Sequence, residues 1–355
     1  MVELIITEKP QAAEKIATAL ADVKPIKKMK GKAVYYELTR KGKQIFVGCA
    51  VGHLYGLSEK IKTKWGTYPV FDIDWKPKYE LDKQSDYTKA YILLLKELSK
   101  KADTFTVATD YDLEGSVIGH NIITQLIKKK DAKRMKFSTL TKNELNDSYD
   151  HASKHLDFDQ INAGETRHYL DWYYGINITN ALTMSVKAAS NKFTVLSSGR
   201  VQSPTLKVIV KREKEIKKFK STKYWEVFLE ALVKKEIILA KHKDDKIKDL
   251  TRAKEILKNT KGKRVLVKQV KESVLNQNPP TPFDLTSLQI ESFRHLRLTP
   301  KQTSQFAQDL YIEGLISYPR TSSQKLPASI NYPKILKQSK TAKTMKDKKE
   351  VSYMG

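Results

Sequence analysis

The chain has 355 residues, 40% apolar and 30% charged, with 66 lysines and arginines against 40 acidic residues and a formal net charge of +26. That composition excludes a disordered chain, and the lack of any run of about 20 apolar residues excludes an ordinary membrane-spanning helix. One cysteine, Cys49, excludes an internal disulfide and predicts a reducing interior, and with no apolar span the expectation is a cytoplasmic protein with no membrane partner. The positive surplus favours a polyanionic partner, nucleic acid first and an anionic membrane surface second. The lysine runs, such as KPIKKMKGK (24–32) and KREKEIKKFK (211–220), are also those of plain solvated faces.

A length of this order predicts two or three domains. The opening MVELIITEKP carries an acid and reads as a first strand, not a secretory signal. Pro10 then starts a helix with apolar residues at helical spacing. KAVYYEL (32–38) and KQIFVGCAVGHL (43–54) read as strands, and SDYTKAYILLLKELSKKA (85–102) as a helix with Ser85 as a candidate cap. TFTVATD (104–110) is a buried strand, followed by a helix over 113–130 and a strand over RMKFSTL (134–140). The next helix, 141–155, opens on Thr141 with Glu144 three residues later, a capping-box pattern. This alternation predicts a mainly parallel sheet with helices on both faces over residues 1–155. From 156 to 220 the pattern is helical. The stretch 221–280 switches to period two, notably at YWEVFLEALV (224–233) and KRVLVKQVKESV (263–274), and predicts antiparallel β structure. A Pro-rich connector leads to helices at 285–296 and 299–315 within a helical region 281–336, and 337–355 reads as a basic tail.

Three stretches can carry chemistry. In ATDYDLEGSVIGHN (108–121), Asp110, Asp112 and Glu114 alternate where a strand leaves the sheet, the place where open α/β sheets bind ligands. Clustered like charges raise one another's pKa unless a cation sits among them, so a metal is the first expectation. The spacing resembles the start of a calcium loop, but its twelfth position is Asn121, which leaves a magnesium-type oxygen site. The same acids also suit a solvated helix N-terminus. In TEKP, Glu8 and Lys9 end the first strand, which is central in a doubly wound sheet. An acid beside a base there can protonate a leaving oxygen while the ammonium neutralises phosphate, although the stretch is also an ordinary strand exit. In YIEGLISYPRTSSQKLP (311–327), Pro319 holds Tyr318 extended and sets Tyr318 and Arg320 on one side. A phenol can attack phosphorus and a guanidinium can hold the phosphate oxygens. With 17 tyrosines in the chain, position alone does not single out Tyr318.

Taken in order, TEKP, ATDYDLEG and GLISYPRT resemble the type IA DNA topoisomerases, as do VGHLYGL (51–57), RMKFSTLTKNEL (134–145), TRHYLDWYYGIN (166–177), SSGRVQSPTL (197–206) and PPTPFDLTSLQ (279–289). The resemblance implies a multidomain fold: a Rossmann-like Toprim domain followed by part of a type IA core with α and β regions. It implies that Tyr318 attacks one DNA strand to give a 5′-phosphotyrosine, with Glu8 as acid for the leaving oxygen and Lys9 and Arg320 stabilising the phosphate. Asp110, Asp112 and Glu114 would hold Mg²⁺, and Arg167, Asp171, Arg200 and Gln202 would line a single-stranded DNA groove. Trp172, Tyr173 and Tyr174 are either stacking platforms or helix core. No ATP is implied, and the chain has no G-x-x-x-x-G-K-[ST] loop. The implied action is relaxation of negatively supercoiled DNA, in the nucleoid.

There are departures. Ser322 stands where many members carry an acid, and Asn180 where arginine is frequent. Members continue well beyond the nucleophile, so the expectation is a truncated product or one part of a split enzyme that needs a second polypeptide. A Toprim nuclease or primase-like enzyme explains DYDLEG but leaves GLISYPRT without purpose, and an inactive single-stranded-DNA-binding fragment is the third reading.

Overall fold

The computed structural model describes residues 1–233 and 235–326, with Pro333 and Ile335. The tail expected over 337–355 lies outside the described residues, as does the end of the region expected to run to 336. The chain forms two compact units, one of residues 1–200 with 280–355 and one of 201–279.

The first unit is built on a six-stranded sheet. Its chain order is β1 (Val2–Thr7), α1 (Pro10–Leu20), β2 (Ile26–Lys30), β3 (Ala33–Arg40), β4 (Lys43–Cys49), β5 (Tyr55–Glu59), β6 (Ile73–Pro77), α2 (Lys78–Leu81), α3 (Thr88–Lys101), β7 (Thr104–Ala108), α4 (Leu113–Asn121), β8 (Lys133–Arg134), α5 (Lys142–Asp150), α6 (Phe158–Tyr173) and α7 (Thr179–Ser190). The sheet order is β2-β3-β4-β1-β7-β8. β1 pairs in parallel with β4 and β7, and β7 with β8, while β2, β3 and β4 are antiparallel. Apolar runs fill both faces. Leu4, Ile6, Leu95, Val117 and Ile118 pack on the side of α3 and α4, and Ile5, Ile16, Leu20, Val47 and Leu145 on the side of α1 and α5. Strands covered on both faces read as continuous apolar runs, which is why VELIIT and TFTVA were legible.

Several local expectations differ from the structure. The lysine run at 24–32 includes the edge strand β2, exposed along its whole length; lysines on an edge discourage pairing with another chain. The strand expected over 134–140 is only Lys133–Arg134. Thr141 makes no side-chain cap. The carboxylate of Glu144 instead accepts from the Ser138 amide at 2.6 Å and the Ser138 hydroxyl at 2.7 Å, because the preceding loop folds back over the helix start. The helix expected to reach 130 ends after one widened π turn at Ile122–Leu126. The antiparallel pair of β5 and β6 was not expected from the sequence.

In the second unit, α8 (Gln202–Lys218) precedes the antiparallel hairpin of β9 (Phe228–Val233) and β10 (Glu236–Lys241), then α9 (Leu250–Thr260). The strand expected at 263–274 is absent and those residues are exposed. Period-two alternation alone does not make a strand without a neighbour to pair its backbone. The last described elements belong again to the first unit. α10 (Leu285–Leu296) and α11 (Pro300–Glu313) each open on a full capping box, Asp284 with Ser287 and Thr299 with Gln302. Tyr311 on α11 is 1% exposed and packs into the α1–α5 side of the core with Ile316 and Tyr318. No helix among the described residues is long and apolar enough to cross a membrane.

Candidate active site

The sheet order puts β1 between β4 and β7. The chain passes to one side of β1 and later returns to its other side, so the crevice beyond the strand ends is a topological switch point. The register pairs Thr7 with Ala108, which sets Glu8 and Lys9 beside the acidic turn after β7. Lys9 Nζ lies 2.9 Å from Asp110 Oδ2 and 3.2 Å from Glu8 Oε1. Asp112 is the N-cap of α4, its Oδ1 accepting from the Gly115 amide at 2.7 Å. A β-carbon at Gly115 would fall 2.2 Å from the Asp110 carbonyl oxygen, so only glycine lets α4 start so close to that turn. Beneath it lies Arg134, 1% exposed. Its guanidinium donates to the carbonyls of Thr109 at 2.8 Å and Asp110 at 2.9 Å, and at longer range to those of Val107 and Met135. Burial lowers the Arg134 pKa to about 10, which leaves it charged at neutral pH.

Into this corner α11 and the segment after it deliver two phenols. The Tyr318 amide donates to the Ser138 carbonyl at 2.8 Å, and the Tyr318 hydroxyl donates to Asp112 Oδ2. Tyr311 packs edge to face on Tyr318, with ring centroids 5.2 Å apart, and its hydroxyl is 3.5 Å from Asp110 Oδ1. Burial, then the charges of Asp112 and Asp110, push the Tyr318 phenol far above its ordinary value. Burial, then Asp110, likewise raises Glu8, to about 7. Burial opposes the charge on Lys9, but Glu8 and Asp110 outweigh it and hold the ammonium above its usual range. Beside Tyr318 opens a cavity of about 410 Å³ lined in part by Phe137, Pro282, Phe283, Ile316 and Arg320.

The structure thus brings together Glu8, Lys9, Asp110, Asp112 and Tyr318, with Arg320 lining the adjoining cavity. Glu114 is turned elsewhere. Its Oε2 lies 2.8 Å from His53 Nε2 and 3.0 Å from His168 Nε2, and these contacts hold its carboxyl well below the usual range. Arg167 is 3.5 Å from Glu114 and 3.7 Å from Asp171, which in turn binds Arg200 at 2.8 Å, so an ion-pair chain leads away from the acids. Gln202 opens α8 in the second unit. Asn180 donates to the Thr67 carbonyl at 3.0 Å. Trp172 and Tyr173 are half-buried, in edge contact with one another, and Tyr174 is exposed.

The residues the sequence did not single out are His168, Arg134 and Tyr311. His168 follows Gln160 and Gly164 at four-residue spacing on α6, a face that meets α4. A β-carbon on Gly164 would come 2.5 Å from Val117 Cγ2, so glycine sets the close approach that puts His168 against Glu114. Tyr311 had a readable signal, since Thr303, Ala307 and Tyr311 form a buried stripe at helical spacing.

Glu8, Asp110 and Asp112 offer hard carboxylate oxygens around a single ammonium, that of Lys9, so the corner fits a divalent cation. Among the described residues, however, the three acids of DYDLE do not close on one point; the one set of ligand atoms all within 4.8 Å is His53, Glu114 and His168.

A Rossmann-like sheet with a Glu-Lys pair and an Asp-x-Asp turn at adjacent strand ends, and a tyrosine bonded to the second aspartate, defines a Toprim fold joined to a phenol-bearing helical segment. Comparison with known proteins agrees. A Toprim domain model matches residues 3–140 and a DNA topoisomerase family model matches residues 155–354. DNA topoisomerase 1 of Pyrococcus horikoshii is 44% identical over 335 residues, covering 94% of this chain and 48% of the relative. That of Methanocaldococcus jannaschii is 44% identical over 333 residues, covering 94% and 43%. Full-length topoisomerase I from Thermotoga maritima superposes with a TM-score of 0.62 at 25% identity, covering 94% of this chain and 51% of that one. The chain therefore belongs to the DNA topoisomerase family, type IA, and spans about half the length of the curated relatives it matches.

Proposed function

We propose that this site breaks and rejoins one DNA strand by transesterification, as an ATP-independent type IA topoisomerase, on single-stranded regions of negatively supercoiled DNA. The observation that carries the reading is the hydrogen bond from the Tyr318 hydroxyl to Asp112 inside the acidic corner. The phenol is buried among negative charge and keeps its proton at rest. Attack then requires a base already in contact, and Asp112 is so placed. As the Tyr318 oxygen bonds to phosphorus its proton passes to Asp112, the bond from phosphorus to the 3′-oxygen breaks, and Glu8 gives that oxygen a proton. With a pKa of about 7, Glu8 is part protonated near neutrality, as a general acid should be. Lys9 and Arg320 offset phosphate charge. The reverse transfer restores the strand, and one phosphodiester has replaced another, so no nucleotide hydrolysis is needed.

Asp110, Asp112 and Glu114 would hold Mg²⁺, Glu114 by leaving its two histidines. When bound, the ion supplies charge neutralisation at the phosphate and a template for the returning 3′-oxygen. Arg167, Asp171, Arg200 and Gln202 would follow the backbone of the unpaired strand, and an exposed Tyr174 suits base stacking. Cleavage of a single-stranded oligonucleotide, compared between the native chain and Tyr318→Phe, tests the reading. Loss of cleavage in the variant is expected. Retained cleavage would make the protein a Toprim nuclease, and DNA binding without cleavage by the native chain would make it a silent binding fragment.

A further inference from the structure

We infer that His53, Glu114 and His168 form a second metal site, selective for a borderline divalent cation of the zinc class and distinct from the hard-oxygen corner at Asp110 and Asp112. The three ligand atoms lie within 4.8 Å of one another, although they come from the loop after β4, the first turn of α4 and the middle of α6. Two imidazoles and one carboxylate are the donors that zinc takes at its three-residue sites, with water in the fourth position. At metal–ligand distances of about 2.0–2.1 Å, tetrahedral ligands stand roughly 3.3 Å apart. The two observed separations from Glu114, 2.8 and 3.0 Å, need to open only slightly.

The surroundings preform the set. Gly164 admits α6 against α4, and the His168 ring is edged by His53 at 5.0 Å and by Trp75 at 5.4 Å. Nε2 of His53 faces the acceptor Oε2 of Glu114, so metal binding requires its proton to shift to Nδ1, which is buried without a hydrogen-bond partner and open to take it. All three side chains keep some exposure, between 17 and 33%, which leaves a path for the ion and a water. Imidazole suits zinc, copper, iron and nickel, whereas Mg²⁺ prefers oxygen and its own waters, so the two sites sort cations by chemistry. Glu114 is common to both on the reading proposed above. An ion between the histidines then withholds this carboxylate from the magnesium corner.

Titration of the purified chain with Co²⁺ as a spectroscopic probe tests the site without DNA or cleavage, so its outcome does not depend on the topoisomerase reading. One equivalent of Co²⁺ should give the intense visible bands of a four-coordinate ion, and Zn²⁺ should abolish them while excess Mg²⁺ should not. The bands should vanish in His53→Gln and His168→Gln and persist in Asp110→Asn/Asp112→Asn and in His120→Gln. X-ray absorption of the Zn²⁺-loaded native chain provides a measurement free of folding effects and should show two imidazole scatterers. Weak six-coordinate bands, bands that survive in both histidine variants, or an all-oxygen shell would overturn the inference.

Discussion

Glu8 ties the stability of the chain to the charge of its acidic corner. In the folded chain it holds its proton to about pH 7, whereas the ordinary value is 4.5. Between those values the folded state binds more protons than the unfolded one, so stability falls as pH rises through the window. At about 1.4 kcal/mol for each pH unit, the full loss is about 3 kcal/mol. Below the window Glu8 is neutral in both states, and above it ionised in both, so the contribution is flat on either side. Glu8→Gln removes the ionisation. Urea unfolding in the absence of divalent ions, followed by circular dichroism from pH 4 to pH 8, should therefore show the native chain losing about 3 kcal/mol relative to the variant. Mg²⁺ should shrink that loss by supplying the missing positive charge. A difference between the two proteins that stays constant across the range would refute the reasoning, because it would mean that neither burial nor the charges of Asp110 and Asp112 raise Glu8 in the folded chain.

Four further outcomes are expected. Gly119→Ala would place a methyl 2.3 Å from Val107 Cγ1 and should cost about 1–3 kcal/mol in denaturant unfolding, as overpacked cores do. Arg134→Met removes donors to four carbonyls under the Asp110 turn, and should lower the melting temperature and abolish strand cleavage together. Tyr311→Phe keeps the packed ring and loses only the 3.5 Å contact to Asp110, so stability should change by less than about 1 kcal/mol and cleavage should survive. Mg²⁺ should raise the melting temperature of the native chain, and Asp110→Asn/Asp112→Asn should lose that response in differential scanning fluorimetry.

What the sequence disclosed and what it hid have a common physical origin. Strand exits are local. Apolar runs ending in TEKP and ATDYDLEG announce both the strands and the polar residues that leave them, and a central first strand then places the two exits side by side. Pro10 at the first turn of α1 was equally readable. The partners of Glu114 were not, since His53 and His168 meet it only through helix packing permitted by Gly164, and helical periodicity does not say which element a face will meet. Arg134 was hidden because a buried arginine that donates to backbone carbonyls looks like any other arginine beside a strand. The missing strand at 263–274 and the uncapped Thr141 show the converse. A local pattern permits a structure, and the backbone partner available in the folded chain decides it.

On the mechanism proposed above, Tyr318 and the acids of the Toprim corner act on one DNA phosphorus. A 3′-end-labelled single-stranded oligonucleotide incubated with the chain and Mg²⁺, then denatured, measures this directly, because a 5′-phosphotyrosine link carries the label onto the protein. The expected result is a labelled protein whose modified peptide contains Tyr318 and which disappears in Asp112→Asn. Label attached to another residue, or label transferred undiminished in Tyr318→Phe, would contradict it.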